Sequence, residues 1–333
     1  MRPLFLSSVF ENSGKSMVAL GLAKNYKGKV GYYKPFREDV LCIDNRVVDR
    51  DAYLMKHVLD LEPTEEMLSP LKYDIFSPVS MDAVTTGYER VKGDAEFMIV
   101  ESPQLFTTGA LHRVEGVSIA QAIGADIVLI ATDEPDALDK VAHHARLMEK
   151  AGIKLKGVIL NKSDDPAVER LLEGAGVRVL GSIPEARELG YLHVSEIAEA
   201  LNAEVLAGEE GLERIIEKVM VGGMTAESAM KDMRRLPRKA MIAGGDRADM
   251  LTAALATDTS CLILSGGLYP ARQVLSKADE LKIPVLLVGH STAVTAEMVD
   301  RLIARINPND TDKIEHIADL VRRHVNLEAI WGD

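Results

Sequence analysis

Gly14-Lys15-Ser16 is the segment whose residue types and order carry the plainest chemistry. It closes the run Val9-Phe10-Glu11-Asn12-Ser13, which follows the apolar stretch Leu4-Phe5-Leu6, and a helical pattern over 16–26 begins at its end. A strand that turns sharply into a helix points backbone N–H groups and the positive helix terminus outward, which suits a phosphate. In that setting Gly14 lets the chain approach phosphate closely and Lys15 supplies a point charge to the terminal phosphates. The Ser16 hydroxyl can ligate Mg²⁺. The usual loop opens with a glycine five residues before the second one, and Val9 holds that place here. The competing reading is an ordinary helix start with a surface lysine, and the strand and helix on either side favour nucleotide binding.

Such a loop needs a sheet to carry it, and the flanking sequence describes one. Phe97-Met98-Ile99-Val100 and Ile127-Val128-Leu129-Ile130 are unbroken apolar runs, the pattern of central parallel strands buried on both faces. Strands are also expected at 4–6, 30–33, 158–160 and 177–180, with helices at 16–26 and 133–152. This alternation predicts an α/β fold, a parallel sheet with helices on both faces. Glu101 ends its strand and Asp51 opens a helical pattern, so both belong at the carboxyl edge where ligands of such folds gather. The stretch Ala203 to Gly211 reads as a boundary, with Gly208-Glu209-Glu210-Gly211 exposed and flexible in composition. Beyond it, strands at 240–243, 261–264 and 285–288, helical patterns from Asp249, Ala271 and Thr295, and a helix over 312–324 describe a second, smaller α/β domain. The expected domains are therefore 1–207 and 212–333.

Composition narrows the function classes. The chain has 333 residues, 47% of them hydrophobic and 27% charged, the balance of a soluble globular protein. No apolar run is long enough to cross a bilayer, and the N-terminus lacks the features of a signal peptide. A formal net charge of −12 argues against a nucleic-acid partner. Cys42 and Cys261 are far apart, fit no metal spacing and read as buried small residues. A cytoplasmic location without a membrane partner is expected. The adjacent His143 and His144 point about 100° apart on a helix and read as solvated surface.

Glu11-Asn12-Ser13-Gly14-Lys15-Ser16, Lys34-Pro35, Asp51-Ala52, Ser77-Pro78, Glu101, Asn161 and Ile183-Pro184-Glu185 together resemble the corresponding residues of dethiobiotin synthetase and its relatives, the cobyrinic acid a,c-diamide synthase type included. More fully, the chain resembles the N-terminal regulatory half of long phosphotransacetylases, where a dethiobiotin-synthetase-like P-loop domain precedes a DRTGG domain. Glu11-Asn12-Ser13-Gly14-Lys15-Ser16 matches the family's phosphate loop, which often lacks the first glycine. Lys34-Pro35 matches a lysine set beside the reacting carboxylate, and Ser77-Pro78 a segment near the amine substrate. The resemblance implies that Asp51 and Glu101 help Ser16 hold Mg²⁺, and that Asn161, Pro184 and Glu185 border adenine. It therefore implies ATP and Mg²⁺ as cofactors. Asn161-Lys162-Ser163-Asp164 also spells the Asn-Lys-x-Asp pattern of guanine-binding proteins, so the base stays open. Where dethiobiotin synthetase has glycines after the metal-site glutamate, this chain has Ser102-Pro103-Gln104, a departure in the loop that shapes the substrate pocket. The DRTGG resemblance rests on Asp246-Arg247 and Ser265-Gly266-Gly267. Those glycine turns can receive an anion or simply turn the backbone.

Two functions follow as expectations. One is a nucleotide-binding regulatory or accessory protein whose C-terminal domain self-associates into a homo-oligomer or takes a small-molecule effector. The other is an ATP-dependent carboxylate-activating ligase, with Lys15 balancing the β/γ-phosphates and Lys34 neutralising the attacking carboxylate. Acetyl transfer would need a further domain of similar size, so it is not expected of these 333 residues alone.

Overall fold

A computed structural model describes residues 3–43, 45–303 and 306–332, without the side chains of Arg301 and Ile303. The chain divides into two compact units: 1–185 together with 306–333, and 186–305.

The first unit is built on six parallel strands in the order Val179–Ile183, Leu155–Asn161, Asp126–Ala131, Leu4–Ser8, Phe97–Glu101, Val30–Tyr33. The three central strands are buried along their whole length, so side chains pointing either way are covered and the strand interiors are apolar, with polar residues (Ser7, Ser8, Glu101, Asp126) only at strand ends. The first strand turns into the helix Lys15–Asn25, whose residues Val18 to Ala23 are all buried. That burial has a second source. The helix Thr311–His324, buried through Ile314, Ile317, Leu320 and Val321, lies along it, and Asn25 Nδ2 donates to the Ala318 carbonyl at 2.7 Å. Gly21 makes the approach possible, because a Cβ there would sit 2.8 Å from Val321 Cβ. Trp331 meets the Tyr26 ring edge to face at 5.5 Å.

The second unit holds a smaller sheet in the order Glu204–Ala207, Val285–Leu287, Thr259–Ser265, Lys239–Gly244, Lys218–Val221, antiparallel only at the first pair. Alternate residues face opposite layers. Met241, Ala243, Leu262 and Leu264 join helices 226–233, 248–255 and 272–281, whereas Ala240, Ile242, Cys261 and Ile263 join helices 194–200 and 292–303.

The structure differs from the sequence expectations at several points. The segment 203–211 is not a flexible linker: residues 204–207 form the edge strand of the second sheet. The turn beyond it is also held, since Gly208 N donates to Asp279 Oδ1 at 2.7 Å and has φ of 71°. Glu209 and Glu210 are exposed as their composition suggests, but Gly208 and Gly211 are buried and lie against the backbone of Lys282 and Ile283, a close approach that composition does not reveal. The expected limits at 207 and 212 differ from the division at 185 and 186. The helix near 312–324 belongs to the first unit rather than the second. Its amphipathic pattern says that one face is buried, not against what. The sixth strand lies at 179–183, two residues later than expected. Cys42, expected to be buried, is exposed in the hairpin of strands Val40–Ile43 and Arg46–Asp49, while Cys261 is buried as expected.

Candidate functional site

The residues singled out from sequence lie along one edge of the first sheet. The phosphate loop follows Leu4–Ser8, Lys34 follows Val30–Tyr33, and Glu101 ends Phe97–Glu101. Asn161 ends Leu155–Asn161, and Pro184 follows Val179–Ile183. All are carboxyl ends of parallel strands, where helices begin and their unpaired N–H groups collect.

Within the loop, Asn12 and Gly14 take left-handed backbone angles, with φ of 55° and 84°, and Gly14 caps the helix. Glu11 and Asn12 are exposed, whereas Ser13 is buried and its hydroxyl donates to the Phe10 carbonyl at 3.2 Å. Lys15 Nζ donates to the Ser102 carbonyl at 2.9 Å, the Ser102 hydroxyl at 3.2 Å and the Pro103 carbonyl at 2.7 Å. The lysine is thus held over the end of the neighbouring strand. Burial lowers its pKa, and Glu101 works in the opposite direction. Ser16 Oγ donates to Glu101 Oε2 at 3.1 Å, and the same hydroxyl helps keep Asp51 ionised.

Charge is unevenly shared around this point. Lys34, 3% exposed, reaches Asp51 at 2.7 Å and Asp49 at 3.1 Å, with Glu38 at 3.9 Å. Burial works against its charge, but Asp51 and Asp49 outweigh that and hold its pKa well above the usual lysine value. Asp51, with 22% of its side chain exposed, is held below the usual carboxylate value because Lys34 overcomes its burial. Asp49 is fully buried, and burial raises its pKa despite the same lysine. Glu101 is pushed up to about 7, first by burial and then by the Asp51 charge. Its Oε1 and the Tyr32 hydroxyl, which senses the Glu101 charge, are both buried without a hydrogen bond of good geometry. Ser16, Asp51 and Glu101 form an all-oxygen set beside a helix N-terminus, and an unsatisfied carboxylate oxygen there fits a hard cation such as Mg²⁺.

Three members of the cluster escaped sequence reading. Asp49 caps helix Arg50–Leu59, accepting from Asp51 N at 3.0 Å and Ala52 N at 3.1 Å, and shares Lys34. An aspartate just before a helical pattern was the available signal. Glu38 Oε1 accepts from Gln104 N at 2.7 Å, a contact 66 residues apart with no local signature. Ser102 was read only as a departure, yet its hydroxyl is clasped by Ser7 at 2.7 Å and itself donates to the Pro103 carbonyl. At the other end of the edge, Asn161 is 3% exposed, and its Nδ2 donates to the Ser13 carbonyl at 2.8 Å. Pro184 is half-buried and Glu185 exposed. His144, read as solvated, is half-buried, packs edge to face on Phe106 at 5.0 Å and has its pKa lowered by burial.

In the second unit, Gly266 N donates to the His290 carbonyl at 2.7 Å and Gly267 N to the Val288 carbonyl at 2.9 Å. These N–H groups are spent on the turn, with φ of 77° and 66°, rather than presented to an anion. Arg247 likewise donates to the Gly222 carbonyl at 3.3 Å and the Met224 carbonyl at 2.8 Å.

A strand, a glycine-hinged loop and a helix carrying Lys15 and Ser16, set beside a strand-end acid on a parallel sheet, define a P-loop domain. Residues 2–191, more than half of the chain, match the family described as AAA domain, and the chain belongs to that family. Residues 196–302 match the DRTGG domain. The chain is similar to phosphate acetyltransferases. That of Nitratidesulfovibrio vulgaris is 22% identical over 98% of this chain and 51% of its own length. That of Nitrosomonas europaea is 24% identical over 99% of this chain and 51% of its own. The ATP-dependent dethiobiotin synthetase of Clostridium kluyveri is 23% identical over 48% of this chain and 73% of its own. The chain thus spans about half the length of the phosphate acetyltransferases it matches. Among the described residues, no helix is long and apolar enough to cross a membrane.

Proposed function

We propose that the first unit binds a nucleoside triphosphate as its Mg²⁺ complex, ATP in preference to GTP. On this reading the chain serves as a regulatory or accessory protein related to the N-terminal half of phosphate acetyltransferases. The observation that carries the reading is the meeting of Ser16 with Glu101 at 3.1 Å, Asp51 within the same group, and an unpartnered Glu101 Oε1. A buried carboxylate oxygen without a donor is costly unless a proton or a cation completes it. When bound, Mg²⁺ would neutralise phosphate charge there, held by Ser16, Asp51 and Glu101. Lys15 would exchange its Ser102 and Pro103 acceptors for phosphate oxygens, and the N–H groups of the helix start would receive the rest.

The ligase alternative asks Lys34 to neutralise a substrate carboxylate. Lys34 already faces Asp51 at 2.7 Å and Asp49 at 3.1 Å, so its charge is committed within the protein. That observation favours binding and regulation over carboxylate activation. We assign self-association and any small-molecule effector to the second unit, whose edge strand Lys218–Val221 ends on an exposed Val221.

Calorimetry with MgATP and MgGTP tests the first assignment. Native protein is expected to bind MgATP more tightly, and Lys15→Ala to weaken binding at least tenfold, about 1.4 kcal/mol. Equal affinity in the variant would remove the loop from the site. A preference for GTP would mean that the segment 161–164 is read in the guanine sense.

A further inference from the structure

Asn161 is the residue whose observed contacts differ most from the base-reading role that the resemblance implies. Its side chain is buried to 3% exposure under the phosphate loop, with Nδ2 at 2.8 Å from the Ser13 carbonyl. The acceptor is a carbonyl, so the amide nitrogen must be the atom that faces it. Gly14 closes over the same group, and a Cβ at position 14 would overlap Asn161 Nδ2. Gly14 is therefore required twice, for a φ of 84° and for the space that Asn161 fills. The next residue repeats the contact: Lys162 Nζ lies 3.4 Å from the Asn12 carbonyl. Successive strand residues point to opposite faces, but Lys162 has φ of 60°, so the chain leaves the strand and both side chains reach the loop.

We infer that Asn161 is a positioning residue for the phosphate loop, holding its amides outward for a triphosphate, rather than a reader of the base. The peptide bond is planar and trans, so the carbonyl of one residue and the N–H of the next point in opposite directions. Drawing the Ser13 carbonyl inward onto Asn161 turns the Gly14 N–H outward, to the side where phosphate would lie. Lys162, through the Asn12 carbonyl, does the same for the Ser13 N–H. A fixed set of N–H groups binds an anion without first having to be ordered. The inference rests on the reading of this loop as a triphosphate site.

The test separates the two roles by removing the base. Full-length protein, Asn161→Ala and Asn161→Asp are titrated with MgATP, MgUTP and Mg-tripolyphosphate, with thermal melts recorded alongside. The Asp variant keeps the shape and sets an acceptor against the Ser13 carbonyl, so it reports even where the Ala variant folds poorly. A positioning role predicts that all three ligands weaken by a similar factor, about tenfold, with the ATP-to-UTP ratio kept and melting little changed. Weaker MgATP with unchanged Mg-tripolyphosphate and a collapsed ATP-to-UTP ratio would overturn it in favour of base reading. Unaltered binding of every ligand by both variants would overturn it as well. Lys15→Ala in the same series distinguishes a failure of the underlying reading: if that variant binds Mg-tripolyphosphate as native does, the loop itself is not the site.

Discussion

Glu101 is subject to two opposed demands. Burial and the Asp51 charge raise its pKa from 4.5 to about 7, so the protein without ligand holds this proton more tightly than a free carboxylate does, while a metal needs the group ionised. The sign of the effect on stability follows. The native state holds the proton more tightly than the unfolded state, so this group's contribution is fully present below about pH 4.5 and is lost as pH rises through 7. Glu101→Gln removes the penalty. Without Mg²⁺ the variant should melt above native protein at pH 8, by a margin on the order of 1–3 kcal/mol that narrows toward pH 5. Differential scanning calorimetry at the two pH values checks this, and an unchanged margin would mean that Glu101 titrates normally. MgATP affinity of the native chain should rise over the same interval, and the Gln variant should lose most of that rise.

Helix Lys15–Asn25 is positioned by its sheet on one side and by helix Thr311–His324 on another. Gly21 tests how tight that second contact is. In an exposed helix, glycine to alanine stabilises by about 1 kcal/mol. Here a Cβ would lie 2.8 Å from Val321 Cβ and 3.2 Å from the Ile317 carbonyl, and overpacking costs about 1–3 kcal/mol. The second effect should win, so Gly21→Ala is expected to lower the melting temperature by a few degrees. Gly174→Ala, at a helix end with open space around it, should not. A higher melting temperature for Gly21→Ala would show that the helices separate readily. MgATP affinity in this variant reports whether the contact also sets the loop that opens the helix.

The division of the molecule has consequences for its parts. The second unit contains its whole sheet within 186–305, with helices closing both faces. That segment alone is expected to fold cooperatively, and circular dichroism with a thermal melt is the check. The first unit is discontinuous, so residues 1–185 without 306–333 should expose the face of Lys15–Asn25 that meets Val321 and should melt at lower temperature or aggregate. Light scattering on 186–305 then tests the assignment of self-association. A monomer at concentrations where the full chain is oligomeric would move the interface out of the second unit.

Much of this was legible in residue order. Unbroken apolar runs mark strands buried on both faces, because both sides of the strand interior face apolar layers, and a loop that ends Gly-Lys-Ser before a helix is defined by neighbours in sequence. Both are local properties, so Phe97 to Glu101, Ile127 to Ile130 and Gly14-Lys15-Ser16 lie where they were expected. Tertiary structure alone decided which distant groups meet. Asp49 and Glu38 join Lys34, Ser102 holds Lys15, and Asn161 reaches Ser13 across 148 positions. It also decided that the last long helix packs on the first, since an amphipathic pattern specifies a buried face and leaves its partner open. Charge and packing complementarity at long range have no period in the sequence, and only the folded chain brings their two halves together.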